Sequence, residues 1–287
     1  MTVLVFGASS QIGHFLLPRL RAAGHPVLAL SRQPRPAVDG VSWLQGRLPD
    51  RVPLPLPPLA AVVGLGPLQG FADWLARTDL PGAPRIIATS SMSAETKRES
   101  DVPAERAISR LLRDGEVALA AASERQGCAW TVLRPTLVYG AGLDKSLTPI
   151  ARRAMRLRVF PLPAGRGLRQ PVHADDIAQA VVAALDRPAA AGRILPIGGG
   201  ERLPAGEMFA RVRRSLPCTT VPLPVPGWLL RQARRIRPAL RGPLARLDSD
   251  LIADNGELTR LLGIEPRAFE PLASMWQGEK REVSSEK

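Results

Sequence analysis

Tyrosine occurs once in these 287 residues, cysteine twice and histidine three times, and aromatic residues make up 4% of the chain. Each scarcity narrows the function. The single phenol, Tyr139, leaves one position from which a tyrosine could move a proton. Cys128 and Cys218 lie far apart in no metal-ligand spacing. They support neither a disulfide framework nor a thiolate metal site, and a reducing, cytoplasmic setting is expected. No apolar run approaches the roughly 20 residues that a membrane-spanning helix needs. The chain opens directly on MTVLVFGASS, without a basic segment and cleavage site, so a fold starting at residue 1 is expected.

Acidic residues are the minority, with 26 Asp+Glu against 39 Lys+Arg and a net charge of +13. Such a field attracts nucleotides, polyanions or an acidic membrane surface. Zinc-finger spacing, basic-aromatic RNA motifs and basic zippers are all missing, so no nucleic-acid partner is expected.

What is present is a regular alternation. With 45% apolar residues, the length suits one large α/β domain, or such a domain with a smaller lobe. Short apolar runs at 3–6, 27–30, 41–44, 59–63, 85–88, 131–138 and 193–197 read as strands buried on both faces. Between them, helical spacing covers 11–23, 71–76, about 105–125, 149–157 and 176–185, with Asp175 as the N-cap of the last. In the 105–125 helix, Ile108, Leu111, Leu112, Leu119 and Ala122 form the apolar side. Residues 49–58 read as a proline-rich connector and 159–170 as a loop. This order predicts a Rossmann-type, doubly wound parallel sheet with right-handed crossovers. The expected layout is a cofactor domain over 1–200, with 141–171 contributing to a substrate cleft. A smaller C-terminal substrate lobe follows over 201–276, and then a disordered tail at 277–287.

The segment GASSQIG (residues 7–13) joins the first strand to the first helix. Small residues there let the backbone approach a pyrophosphate, which the helix amides then bind. Gly7, Ser9, Ser10, Gln11, Ile12 and Gly13 are the candidate cradle, with Ser10 where a middle glycine is usual. After the second strand stands Arg32, with no carboxylate before Asp39. An acidic residue there favours NAD and an arginine NADP, so NADP is the expected cofactor.

GASSQIG, the Ser90-Ser91 pair, LRPTLVYG and RQPVHADDIA together resemble the extended short-chain dehydrogenase/reductases, and within them the NAD(P)-dependent epimerase/dehydratase family. The resemblance runs from residue 1 to about 200 and resumes at 247–271. It implies a bound nicotinamide cofactor and a substrate cleft for a small carbonyl compound or nucleotide sugar. It places Ser90 and Ser91 beside the nicotinamide as catalytic hydroxyls. It also sets Arg134, Pro135 and Tyr139 in the turn bordering that ring, and makes Arg169 a clamp for a substrate diphosphate. The family's Tyr-Lys pair falls on Ile108 and Leu112, which cannot move a proton, and both are expected to pack against the sheet. Glu95 and Asp101 are then the candidate replacement acids. Arg47 stands where the family usually has Asp. Two functions follow from the resemblance. One is an NADP-dependent oxidoreductase or epimerase-like enzyme using another proton donor. The other is a non-catalytic NADP(H)-binding redox sensor or assembly factor.

Two partner surfaces complete the reading. The 105–125 helix could pair with a second copy as a homodimer. Segment 227–246 mixes Trp and Leu with many arginines and is read as a lobe helix whose arginines face substrate or solvent. An amphipathic helix resting on an anionic membrane is the alternative.

Overall fold

The computed structural model describes residues 2–36, 38–228, 232 and 247–277. Its first half runs β1 (Thr2–Phe6), α1 (Gln11–Ala22), β2 (Val27–Ser31), β3 (Val41–Gln45), β4 (Leu59–Gly64) and α2 (Leu68–Arg77). Then come β5 (Arg85–Thr89), α3 (Ser93–Thr96), α4 (Pro103–Arg125), β6 (Trp130–Pro135), β7 (Val138–Tyr139) and α5 (Leu147–Leu157). The rest adds β8 (Val159–Pro163), β9 (Leu168–Arg169), β10 (Val172–His173), α6 (Ala174–Asp186), β11 (Arg193–Ile197), β12 (Leu203–Pro204), α7 (Ala205–Arg214), β13 (Val221–Val225) and α8 (Gly256–Leu262).

Seven strands form one parallel sheet in the order β11-β6-β5-β4-β1-β2-β3. Strand runs such as VLALS are buried along their whole length because helices cover both faces. On one face Leu16 and Leu20 of α1 and Ile177 and Val181 of α6 pack over Val3, Val5 and Ala29. On the other, Phe71, Trp74 and Leu75 of α2 and Leu119 of α4 pack over Leu4, Phe6 and Ile86. Phe6 meets Trp74 edge-on at 4.7 Å. Burying each such side chain contributes about 1.5–3 kcal/mol, so the two layers hold the sheet rigid beneath its carboxyl edge. A third core joins Tyr139, Leu147, Phe160, Met208, Phe209, Phe269 and Trp276. It lies outside the sheet and builds a smaller lobe from two stretches of chain.

The doubly wound parallel architecture is the expected one. Four local expectations are corrected. The run 131–138 breaks after Pro135, and Val138–Tyr139 leaves the main sheet to pair with Val172–His173. Residues 159–170 are not a plain loop, since they contain β8 and β9. The N-cap of α6 is His173, whose Nδ1 accepts from the Asp175 amide at 3.1 Å, so helix entry comes earlier than Asp175. The buried stripe of α4 runs through Glu105, Ser109, Glu116 and Leu119, while Ile108 is 42% exposed and Leu111 is exposed too. Carboxylates occupy that stripe because partners reach them from the sheet and the adjoining loop.

Candidate functional site

The carboxyl edge of the sheet begins at β1. Gly7 has φ +73°, a conformation that side chains disfavour, and a Cβ there would lie 2.9 Å from the Leu65 carbonyl carbon. A Cβ on Gly13 would overlap the Ala8 carbonyl. The Ser10 amide donates to the Gly7 carbonyl at 2.8 Å, and the Ser10 hydroxyl accepts from the Gly13 amide at 3.2 Å, capping α1. Ser9 is exposed at the mouth of this loop, whereas Ile12 is a core residue. Gln11 donates through Nε2 to the Val138 carbonyl at 3.1 Å, tying the loop to β7, and its buried Oε1 has no hydrogen-bond partner. A tight glycine loop running into the positive end of a helix fits a pyrophosphate. From Ile12 such a contact would come through the main chain.

Beyond this loop, β2 connects to β3 without a helix, through residues 32–40. The connection leaves one side of α1 open as a cleft of about 290 Å³, from Ala8, Ser9 and Ser10 to Arg35 and Trp43. Arg35 sits over the Trp43 ring at 5.8 Å. Arg32 is exposed at the end of β2. After β3, Arg47 and Arg51 exchange main-chain hydrogen bonds of 2.6 and 2.9 Å across a turn. Because β2 and β3 are neighbours in the sheet, four arginines follow two adjacent strand ends. Asp39 and Asp50, the nearby carboxylates, pair with Arg21 and Arg77.

The next group centres on Glu116, on the buried face of α4. This buried carboxylate accepts from Ser90 Oγ at 2.5 Å and from Arg134 Nε at 2.8 Å, with a second Arg134 nitrogen on its other oxygen. Arg134 also reaches Glu95 at 2.8 Å. Its guanidinium is held above the ordinary arginine range, first by the hydrogen bonds of Glu116. Ser91 Oγ accepts from the Ser93 amide at 3.1 Å, at the entry to α3. The two serine hydroxyls and Arg134 are therefore committed to protein partners at the end of β5. Ile108 and Leu112 stand four residues apart on α4, one exposed and one half-buried, so the expectation that both pack against the sheet is corrected. Pro135 closes β6.

Tyr139 is fully buried, edge-on to His173 and Phe269 at 5.1 and 4.8 Å. Burial, reinforced by Asp176, pushes its phenol far above the usual range. The ring is a core element, so a cofactor contact from this position would be made by the backbone. His173 is buried beside it, and burial together with Arg267 holds its imidazole down at about 4. Next to it Asp175 pairs with Arg19 at 2.5 Å and Arg267 at 2.7 Å. Burial opposes ionisation there, but the two guanidinium groups prevail and hold Asp175 at about 2.

A larger cleft of about 620 Å³ opens between α3, the start of α5 and residues 247–251. Buried Arg169 lines it, donating to the carbonyls of Leu168 at 2.7 Å and Ser249 at 2.6 Å. Lys97, Asp101, Lys145 and Asp250 share its wall. Asp101 was singled out from sequence, whereas Lys97, Lys145 and Asp250 were not. They come together only through the fold, and no spacing along the chain announces them.

Comparisons with known proteins agree with this arrangement. Residues 107–198 match the model of the NAD dependent epimerase/dehydratase family. UDP-glucose 4-epimerase of Vibrio cholerae is 27% identical over 118 residues, 40% of this chain and 35% of the relative. The match thus spans about a third of that relative's length. Among solved structures, MoeE5 in complex with UDP-glucuronic acid and NAD superposes with a TM-score of 0.71 at 19% identity, covering 96% of this chain and 98% of that one. UDP-glucose 4-epimerase of Thermotoga maritima, with UDP-glucose, gives 0.70 at 17% identity, covering 96% and 97%. Their shared shape shows the fold, and the likeness to the NAD dependent epimerase/dehydratase family rests on residues 107–198.

Proposed function

We propose that this protein binds NADP(H) in preference to NAD(H) and acts as an oxidoreductase or epimerase-like enzyme on a small carbonyl compound or nucleotide sugar. One observation carries the cofactor reading. The small-residue loop at 7–13 stands beside adjacent strand ends followed by Arg32, Arg35, Arg47 and Arg51, where no unpaired carboxylate competes. In this reading Gly7, Ser9, Ser10, Gln11, Ile12 and Gly13 hold the pyrophosphate through main-chain groups and α1. Arg32 meets the 2′-phosphate, and the backbone around Arg134, Pro135 and Tyr139 borders the ring. A bound nicotinamide supplies hydride transfer. The chain's own residues orient the substrate, and Arg169 offers its charge to an anionic group in the larger cleft. Relatives that bind UDP-sugars with NAD support this substrate class.

Ile108 and Leu112 favour a second reading, a non-catalytic NADP(H) sensor or assembly factor. Neither side chain can donate a proton, and the Ser90 hydroxyl is given to Glu116. The deciding measurement is NADPH absorbance with a panel of carbonyl compounds and UDP-sugars, alongside thermal shifts with both cofactors. Substrate-dependent oxidation supports the enzyme. Binding without turnover across the panel supports the sensor. Placing Ile108→Tyr with Leu112→Lys should raise a slow rate by about 10²–10⁴, the usual worth of general acid catalysis. A homodimer through α4, with Ile108 and Leu111 at its surface, belongs to the same proposal and is checked by sedimentation velocity.

A further inference from the structure

The positive charge of this chain is gathered in two stretches of its sequence. Residues 145–174 hold seven basic side chains and no Asp or Glu, and residues 208–247 hold nine and none. These sixteen exceed the net +13 of the whole chain, so everything else is slightly acidic. Described parts of these two stretches meet where β13 pairs in parallel with β8, Val221 beside Val159 and Leu223 beside Pro161. Partners in register point to one face, and that face is wholly apolar. The opposite face of β8 is spent on the core through Phe160. Val221 is 63% exposed and Leu223 54%, and Trp228, just past the strand, is 64% exposed. Leu157 adds to the patch from the end of α5. Beside it Arg153, Arg156 and Arg158 are exposed and pair with no carboxylate among the described residues.

We infer that the outer face of the β8–β13 ribbon, with Leu157, Trp228 and these three arginines, is a docking surface for an anionic lipid bilayer. An exposed apolar patch marks an interaction site rather than a packing accident. The edge of β13 argues for what occupies it. Val221 donates to the Arg158 carbonyl, so alternate amides face β8, and Pro222 and Pro224 fall where amides would face outward. A strand with proline at its outward positions cannot accept a further strand, which closes the edge to a second copy or a peptide adding by main-chain hydrogen bonds. The face stays open to a fluid apolar phase. Tryptophan and aliphatic groups enter the acyl boundary there while arginines meet anionic headgroups. This surface is independent of the cofactor reading.

The test is co-sedimentation of the full chain with vesicles of phosphatidylcholine alone or mixed with phosphatidylglycerol. Binding is expected to the mixed vesicles only, and to weaken as salt is raised. The variant R153Q/R156Q/R158Q should lose about a hundredfold in partitioning, at roughly fivefold per arginine. Leu223→Ser with Trp228→Ser should lose at least about tenfold, and both variants should melt like the parent because the changed residues are exposed. Three results would overturn the inference. They are no binding to mixed vesicles, binding unaffected by either variant, and binding lost only when Arg231, Arg234, Arg235 and Arg237 become glutamine. Saturable self-association abolished by Leu223→Ser would equally reassign the face to a second copy of the chain.

Discussion

At the scale of single residues, position rather than identity separates binding from packing. Arg32 is exposed just past the end of β2, and in the proposed reading it meets the 2′-phosphate. Arg32→Ala should remove most of the preference for NADP over NAD, at about 1.5–3 kcal/mol for a charge-assisted contact, as read by calorimetric titration of both cofactors. Equal affinities in the parent would sink the assignment. His173 behaves in the opposite way. In the unfolded chain its imidazole takes a proton near pH 6.5, but in the folded protein only at about 4. Between those values the unfolded state binds more protons, so stability falls as pH falls, by about 3 kcal/mol in all. Asp175 extends the loss towards pH 2, because its folded carboxyl titrates at about 2. Urea denaturation at stepped pH should show this slope from about 6.5 down to 4, and His173→Gln should flatten it. Tyr139 closes the residue scale. Its ring is core, so Tyr139→Phe should leave NADPH-dependent turnover intact.

Among the elements, α4 is where sequence and structure part. Short apolar runs ending in glycine leave little choice, so the strands and the tight turn at 7–13 were legible from residue order. The inner face of α4 was not. Periodicity assigns leucines and isoleucines inward, whereas this helix turns Glu105 and Glu116 in and leaves Ile108 and Leu111 out. At Glu116 that choice depends on Arg134 from β6 and on Ser90 just past β5, which no spacing along the chain brings to residue 116. The walls of the larger cleft were hidden for the same reason, since α3, α5 and residues 247–251 meet only in three dimensions. Arg169 was singled out through the family resemblance alone, and it stands buried in the wall of that cleft. The Glu116–Arg134 pair should carry much of the docking of α4. Removing one partner of a buried pair strands the other charge, so Glu116→Gln should cost about 3 kcal/mol, measured by urea denaturation. A cost near zero would make the pair a passenger.

On the scale of the molecule, the sheet and the core outside it are not separable. Asp175 and Asp176 of α6 are balanced by Arg19 from α1 and by Arg267 from the C-terminal stretch. The Gly198 amide donates to Asn255 at 2.8 Å, and the Ala253 amide to Gln170 at 2.8 Å. Segment 229–246, apart from Gln232, lies outside the described residues, as does the tail from 278. The described stretch 247–277 ties down the half of the chain that carries the parallel sheet. A fragment ending at residue 200 should therefore fail to fold, or melt far below the whole chain, because Asp176 would be buried without its counter-ion. Circular dichroism of that fragment is the check.

This stitching bears on how the protein is made. Arg267 follows its partner Asp176 by 91 residues, so a growing polypeptide completes the network only after residue 267 has left the ribosome. Until then the nascent sheet half carries Asp176 without its counter-ion, since Arg19 reaches Asp175 alone, and cells would have to shelter it. The half that looks most like a transferable cartridge is the one that cannot be lifted out.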